Sequence, residues 1–208
     1  MIPLFVDFSG KKVVIFGGGD VAARKAALFS REAPVLVVSR SLSPALREIP
    51  CEFEPCELRA CEERKIREFI EGAFLVIATL PDPVINDVIG VLCREEGILF
   101  NNASGVRGDV LVPSVIRGAN FTIGIGTDGM SPAISRYIRE LIERECPDLD
   151  GMIALQQKLR YELRSRVPRQ EDRRRILWEV LHDQTVRDAL AQGKDAAWDL
   201  VERRYLHA

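Results

Sequence analysis

Lys12-Val13-Val14-Ile15-Phe16-Gly17-Gly18-Gly19-Asp20-Val21-Ala22 is the stretch on which the fold turns. Its first half is a short apolar run rich in β-branched residues, the pattern of a strand buried on both faces. The glycines follow at once and fit G-x-G-x-x-A. In that fingerprint Gly17 permits a tight turn, Gly19 lets a pyrophosphate approach the backbone, and the small Ala22 lets a helix pack closely on the strand. The amides around Gly18, Asp20 and Val21 then form an anion site at a helix N-terminus. A purely structural turn is the competing account. The position between strand and helix, with a second strand ending about 20 residues on, favours a bound dinucleotide.

Outward from this turn the rhythm repeats. Val35-Leu36-Val37-Val38, Phe74-Leu75-Val76-Ile77-Ala78 and the shorter Ile98-Leu99-Phe100 read as strands, and Val21 to Arg31, Cys61 to Ile70 and Val84 to Glu96 as amphipathic helices. Strand alternating with helix predicts an α/β fold, a Rossmann-like doubly wound parallel sheet. Near residue 110 the pattern changes. Val110-Leu111-Val112-Pro113 reads as a strand stopped by a proline. In Asn120 to Gly126, Phe121, Ile123 and Ile125 share one face, and Thr122 and Gly124 leave the other nearly bare. Ser131-Pro132 opens a helix with a serine cap and a proline in its first position, striped by Ile134, Ile138, Leu141 and Ile142. Beyond Cys146 only helical patterns remain, lined by Met152, Leu155, Leu159 and Leu163, then by Ile176, Leu177, Val180 and Leu181, then, after Gly193, by Ala197, Trp198, Leu200 and Val201. The expected division is a nucleotide-binding domain over 1–113, a small strand-plus-helix dimerisation segment over 114–145 and a helical domain over 146–208.

Ligands of open α/β sheets bind at the carboxyl ends of the strands. Ser39 and Arg40 end the second strand, where NAD sites often carry Asp or Glu; a small polar residue followed by arginine also suits a 2′-phosphate, so NAD and NADP both stay open. Thr79, Leu80 and Pro81 follow the fourth strand, and Asn101 follows the fifth. Pro81-Asp82-Pro83 is equally a helix-starting turn.

Composition sets the boundaries. The 208 residues are 47% hydrophobic and 29% charged, ordinary for a folded soluble chain. With 29 basic and 31 acidic residues the formal charge is −2, which argues against nucleic acid as a partner. No apolar run reaches the ~18 residues of a membrane span, and the N-terminus has no export signal pattern, so a cytoplasmic location is expected. Cys51, Cys56 and Cys61 recur at a regular spacing without CxxC pairs, and the two histidines, His182 and His207, are remote in sequence. Free thiols and no protein-held metal are expected.

Gly17-Gly18-Gly19-Asp20-Val21-Ala22-Ala23-Arg24-Lys25-Ala26, then Val112-Pro113-Ser114, then Gly129-Met130-Ser131-Pro132-Ala133-Ile134-Ser135-Arg136 resemble the siroheme synthase family. The likeness runs in order from about residue 2 to 145 and more loosely into the helical tail. It implies a precorrin-2 dehydrogenase that uses NAD to form sirohydrochlorin in siroheme or other tetrapyrrole (porphyrin) biosynthesis, within a homodimer joined partly through the middle segment. Some members also insert iron. The chain is too short for the methyltransferase domain fused to certain relatives and so resembles the stand-alone form.

One departure bears on the chemistry. Where the family usually has an aspartate credited with general-base work, Phe100-Asn101-Asn102-Ala103-Ser104-Gly105 places Ser104, and the loop to Pro113 is about one residue short. Asp109 supplies a carboxylate if the loop folds back; the plain alternative is a solvated turn residue. Dehydrogenation is chiefly a matter of positioning, whereas chelation must shed two pyrrole protons and leans on a base. The expectation is therefore a dehydrogenase without reliance on chelatase activity.

A polycarboxylate substrate calls for cations. Arginine accounts for 23 of the 29 basic residues, which suits forked carboxylate recognition. Arg107, beside Ser104, is the chosen substrate arginine, and Ser131 at its helix start is a second anion-holding residue. The basic stretch from Lys158 to Arg175 reads either as solvated helix faces or as the lining of a cationic cleft. The rival from another class is a dinucleotide-sensing dimeric regulator without catalysis, kept open by the serine at 104.

Overall fold

The computed structural model describes residues 1–59 and 62–206. The chain divides into two compact units, Met1–Val112 and Pro113–Ala208.

The first unit holds strands β1 (Val13–Phe16), β2 (Val35–Ser39), β3 (Glu52–Pro55), β4 (Leu75–Ala78) and β5 (Leu99–Asn102). Helices α1 (Asp20–Phe29), α2 (Pro44–Arg47), α3 (Glu63–Ile70) and α4 (Pro83–Glu95) connect the strands. The sheet is parallel throughout, in the order β3-β2-β1-β4-β5. Every residue of β1 and β4 is buried, because helices cover both faces of the sheet. Val14, Phe16, Val76 and Phe100 pack toward α3 and α4, and Val13, Ile15, Val37 and Ile77 pack toward α1 and α2. Lys12 reaches the C-terminal carbonyls of α3, its Nζ donating to Phe69 O at 3.1 Å and to Glu71 O at 2.8 Å. That is the favourable place for a cation on a helix.

The strand expected over Val110–Pro113 does not form. Val110 N donates to Phe100 O at 3.0 Å, and Val110 and Val112 help cover the core, but no ladder continues. Proline at 113 has no N–H to give. Pairing starts one residue later, between β6 (Ser114–Arg117) and β7 (Thr122–Ile125), an antiparallel hairpin with Ser114 opposite Ile125.

The second unit contains that hairpin, α5 (Pro132–Glu145), α6 (Leu149–Arg166), α7 (Gln170–His182), α8 (Gln184–Gln192), α9 (Lys194–Val201) and a closing π-helical turn over Glu202–Leu206. Asp150 ties the hairpin loop to α6, accepting from the amides of Ala119 and Asn120 at 2.8 Å each. The Ala119 amide leads in holding this carboxyl below the usual range. Met152, Leu155, Leu159 and Leu163 of α6 meet Val180, Val186, Leu190, Ala197 and Val201 in one core.

The break between α7 and α8, unread in the sequence, falls at Asp183. Its carboxylate caps α8 through Thr185 N at 2.9 Å and also accepts from Thr185 Oγ1 at 2.6 Å, Tyr205 Oη at 2.9 Å and Arg204 at 2.6 Å. These donors, the Thr185 hydroxyl first, hold the Asp183 carboxyl far below its ordinary value. A depressed carboxylate stabilises above the unfolded value near 4 and ceases to do so as pH falls through that region and below. The melting-temperature gap between the native chain and Asp183→Ala is therefore expected to be wide at pH 6 and to narrow progressively below about pH 4. A gap independent of pH contradicts this.

Candidate functional site

The strand order places β1 beside both β2 and β4. The chain leaves β1 toward one edge of the sheet and later returns to build the other, so the carboxyl ends of β1 and β4 flank the crevice where such sheets bind ligands. Thr79 closes its floor, donating from its amide to Phe16 O at 2.8 Å and from Oγ1 to the same oxygen at 2.9 Å.

The three glycines have different physical reasons. Gly17 has φ +121°, outside the range of ordinary side chains, and a Cβ there would lie 2.2 Å from Thr79 Oγ1. At Gly18 a Cβ would lie 1.8 Å from Ser41 O. At Gly19 φ is −88°, and a Cβ would meet nothing within 4 Å. The protein's own packing thus requires the first two glycines and makes no use of the third. Gly19 is the N-cap of α1 without a side-chain cap, so the first amides of the helix, including those of Asp20, Val21 and Ala22, have no intrahelical acceptor. Open space in front of unpaired amides, at the positive end of a helix, suits a pyrophosphate. Ala22 is wholly buried against the sheet.

Ser39 is buried, and its hydroxyl donates to Ser41 O at 2.7 Å. Arg40 is exposed and meets Glu57 only at 3.5 Å, a pair of little energetic weight. The end of β2 thus carries no carboxylate of its own.

Beyond β4, Asp82 caps α4 by accepting from Val84 N at 2.9 Å, with Pro83 in the first helical position. Leu80 is held from behind by Asn86 of α4, whose carboxamide accepts from Leu80 N at 3.1 Å and donates to Leu80 O at 2.9 Å. Pro81 lies between these anchors.

Asn101 and Asn102 are the last residues of β5 rather than a loop after it. Phe100 faces α4, so Asn101 faces the opposite side of the sheet. Its Nδ2 donates to Val110 O at 2.7 Å, and its Oδ1 is buried with no partner among the described residues. Buried acceptors seldom stay unpaired. This one lies at the carboxyl end of the sheet, where a donor from a bound ligand would satisfy it.

After β5 the chain loops through Ala103 to Gly108 and returns along the strand's outer edge. Ser104 is exposed at the loop tip, and its Oγ lies 3.0 Å from Asn86 Nδ2. Asp87 braces the loop, accepting from Asn102 Nδ2 at 3.0 Å and from Val106 N at 2.8 Å. Arg107 is exposed. Asp109 lies on the returning segment, next to Val110, which pairs with Phe100 O. Burial first, and the Asp109 charge second, push the Cys93 thiol of α4 up to about 12. The loop does fold back, and it carries Asp109 along the strand edge, close enough for its charge to act on Cys93.

In the second unit Ser131 caps α5, accepting from Ile134 N at 3.3 Å, while Thr127 accepts from Ser131 N at 3.2 Å. Most of the basic stretch lies on exposed helix faces. Arg166 pairs with Glu162, Arg175 with Asp172 and Glu179, and Arg173 donates to the carbonyls of Val167 and Pro168. Among the described residues no His, Cys, Asp or Glu group of three or more is placed to hold a metal. Cys51, Cys56, Cys93 and Cys146 are free thiols; Cys61 and His207 lie outside the described residues. No helix among those residues is long and apolar enough to cross a membrane.

A family model described as NAD(P)-binding matches residues 4–114. Precorrin-2 dehydrogenase of Methanosarcina barkeri is 40% identical over 209 residues, covering 98% of this chain and 92% of its own. This chain belongs to the precorrin-2 dehydrogenase family. Siroheme synthase of Sodalis glossinidius is 31% identical over 93% of the chain, which spans only 41% of that protein. The solved structure of SirC, a precorrin-2 dehydrogenase, shares the fold with a TM-score of 0.70 at 20% identity, covering 98% of this chain and all of that one.

Asn86 and Asp87 were missed in the sequence reading, although one signal was present. The buried stripe of α4 runs Asn86, Ile89, Gly90, Cys93, and a lone carboxamide inside an apolar stripe needs partners. Lys25, in the motif but given no role, is half-buried; desolvation first, and Arg24 second, bring its ammonium down to about 8.

Proposed function

We propose that this chain is an NAD-dependent precorrin-2 dehydrogenase that forms sirohydrochlorin for tetrapyrrole biosynthesis in the cytoplasm. The observation that carries the reading is the vacant side of Gly19, a cradle the protein itself leaves unused, in a chain of this family. The pyrophosphate lies over Gly18, Gly19 and the amides of Asp20 and Val21, with Gly17 and Ala22 shaping the turn. Ser39 and Arg40 face the adenosine ribose. Thr79, Leu80, Pro81 and Asn101 would line the nicotinamide end, where the orphan oxygen of Asn101 would accept a carboxamide N–H. When bound, NAD⁺ would supply the hydride acceptor, and the second hydrogen removed from precorrin-2 would leave as a proton to water.

The protein's own work is then positioning. Within the first unit Arg107 forks a substrate carboxylate, and Ser104 with Asp109 are the polar groups offered to the macrocycle; in the second unit Ser131, at the start of α5, is an anion-holding residue in its own right. A homodimer is part of the proposal: Ile134 and Tyr137 of α5 are 50% and 59% exposed and Met130 before them 86%, an apolar face that a second copy would cover.

Serine is a poor base at neutral pH. Iron insertion, with iron as substrate, is accordingly not assigned. Ser104→Asp is expected to raise the rate of ferrous iron insertion into sirohydrochlorin by about tenfold or more; an unchanged rate removes the missing carboxylate as the explanation.

The serine also favours one rival, a dimeric sensor that binds nucleotide without turnover. Incubation with precorrin-2 and NAD⁺ or NADP⁺, following sirohydrochlorin absorbance, separates the two. The dehydrogenase reading expects turnover, faster with NAD⁺. Nucleotide binding without spectral change leaves the sensor.

A further inference from the structure

The carboxamide of Asn86 is wholly buried and can sit in one orientation only. Its oxygen takes the Leu80 amide and its nitrogen gives one hydrogen to the Leu80 carbonyl. Exchanging the two ends would set donor against donor and acceptor against acceptor. The second hydrogen on Nδ2 is therefore directed at Ser104 Oγ, 3.0 Å away. The Ser104 backbone is fixed as well. Its amide donates to Asn102 Oδ1 at 3.1 Å, and Asn102 Nδ2 donates onward to Asp87 Oδ1 and, at 2.9 Å, to Val106 O.

A serine hydroxyl has one hydrogen and two lone pairs. Asn86 occupies a lone pair, so the hydroxyl hydrogen points away from α4, on a residue exposed at the loop tip. We infer that Asn86 is a positioning residue for the reaction: it fixes the Ser104 hydroxyl as a one-way donor toward a carboxylate oxygen of the polycarboxylate substrate. The inference rests on the proposal that Ser104 faces the tetrapyrrole. It assigns position 104 in this chain to substrate recognition, with Asn86 acting through it. Asn86→Asp reverses the polarity: an acceptor replaces the donor, the Ser104 hydrogen turns inward to it, and the outward donor is lost.

The test is a double-mutant cycle on the full chain with precorrin-2 and NAD⁺. Ser104→Ala raises KM for precorrin-2 about tenfold, the value of one hydrogen bond to a charged group, with kcat and NAD⁺ affinity nearly unchanged, and Ser104→Thr restores KM. Asn86→Asp gives the same rise, and the double variant is no worse than either single one. Losses that multiply, to about a hundredfold, separate Asn86 from Ser104 and overturn the inference. A normal KM in Ser104→Ala overturns the substrate-facing role of Ser104 and the inference with it, while undiminished turnover leaves the dehydrogenase reading in place.

Should Asn86→Asp fail to fold, ¹⁵N-labelled protein supplies the answer. The Asn86 side-chain amide signal shifts in Ser104→Ala, and in the native chain it shifts when precorrin-2 is added. A signal constant under both changes overturns the inference.

Discussion

Gly19→Asp is expected to abolish pyridine-nucleotide binding and leave the protein as stable as before, or slightly more so. The new Cβ meets no protein atom within 4 Å, and φ at this position is an ordinary −88°. Aspartate is among the preferred N-cap residues and favours the positive helix end, so α1 gains roughly 0.5–1 kcal/mol. The same carboxylate occupies the space assigned to the pyrophosphate. Two unit charges about 4 Å apart at an effective dielectric near 20 repel by about 4 kcal/mol, enough to weaken binding roughly a thousandfold. Calorimetric titration with NAD⁺ and a thermal melt check the two halves together. Retained affinity contradicts the assigned turn. Lost affinity with a collapsed melt contradicts the claim that the protein does not need this glycine.

One residue earlier the expectation reverses. Gly18→Ala adds a single methyl group, but that carbon would stand 1.8 Å from Ser41 O and 2.5 Å from Ser39 Oγ. Neither neighbour can yield cheaply. Ser39 Oγ already donates to Ser41 O, and Ser43 N donates to Gly18 O at 2.7 Å, so the whole connection from β2 to α2 must move. Overpacking of this kind costs about 3 kcal/mol, a fall in melting temperature of roughly 10 °C or more for a unit of this size. An unchanged melt for Gly18→Ala contradicts the packing described at this turn.

The contrast between these glycines marks what a sequence can and cannot disclose. The strand, turn and first helix were legible because their cause is local: a β-branched run, glycines at fixed offsets and a small Ala22. β3 was not. Glu52-Phe53-Glu54-Pro55 carries two carboxylates and a proline on an edge strand exposed along its whole length, features that protect sheet edges and hide them from hydrophobic patterning. Val110-Leu111-Val112 misled for the opposite reason: its apolar side chains cover the core beside β5 without a ladder to join. α2 is a single turn, too short to show a period.

The site divides the same way. The turn proposed to cradle the cofactor follows from eleven adjacent residues, Lys12 to Ala22. The loop from Ser104 to Asp109 is set by α4, whose Asn86 and Asp87 hold residues far along the chain, and no spacing in the sequence announces those bonds. The open face of Gly19 and the unpaired oxygen of Asn101 are likewise three-dimensional facts.

The most direct measurement is a crystal structure of the chain with NAD⁺ bound. The pyrophosphate is expected against the bare face of Gly19, hydrogen-bonded to amides at the start of α1, with the nicotinamide carboxamide donating to Asn101 Oδ1. Nucleotide bound elsewhere, with the face of Gly19 left to solvent, contradicts this expectation.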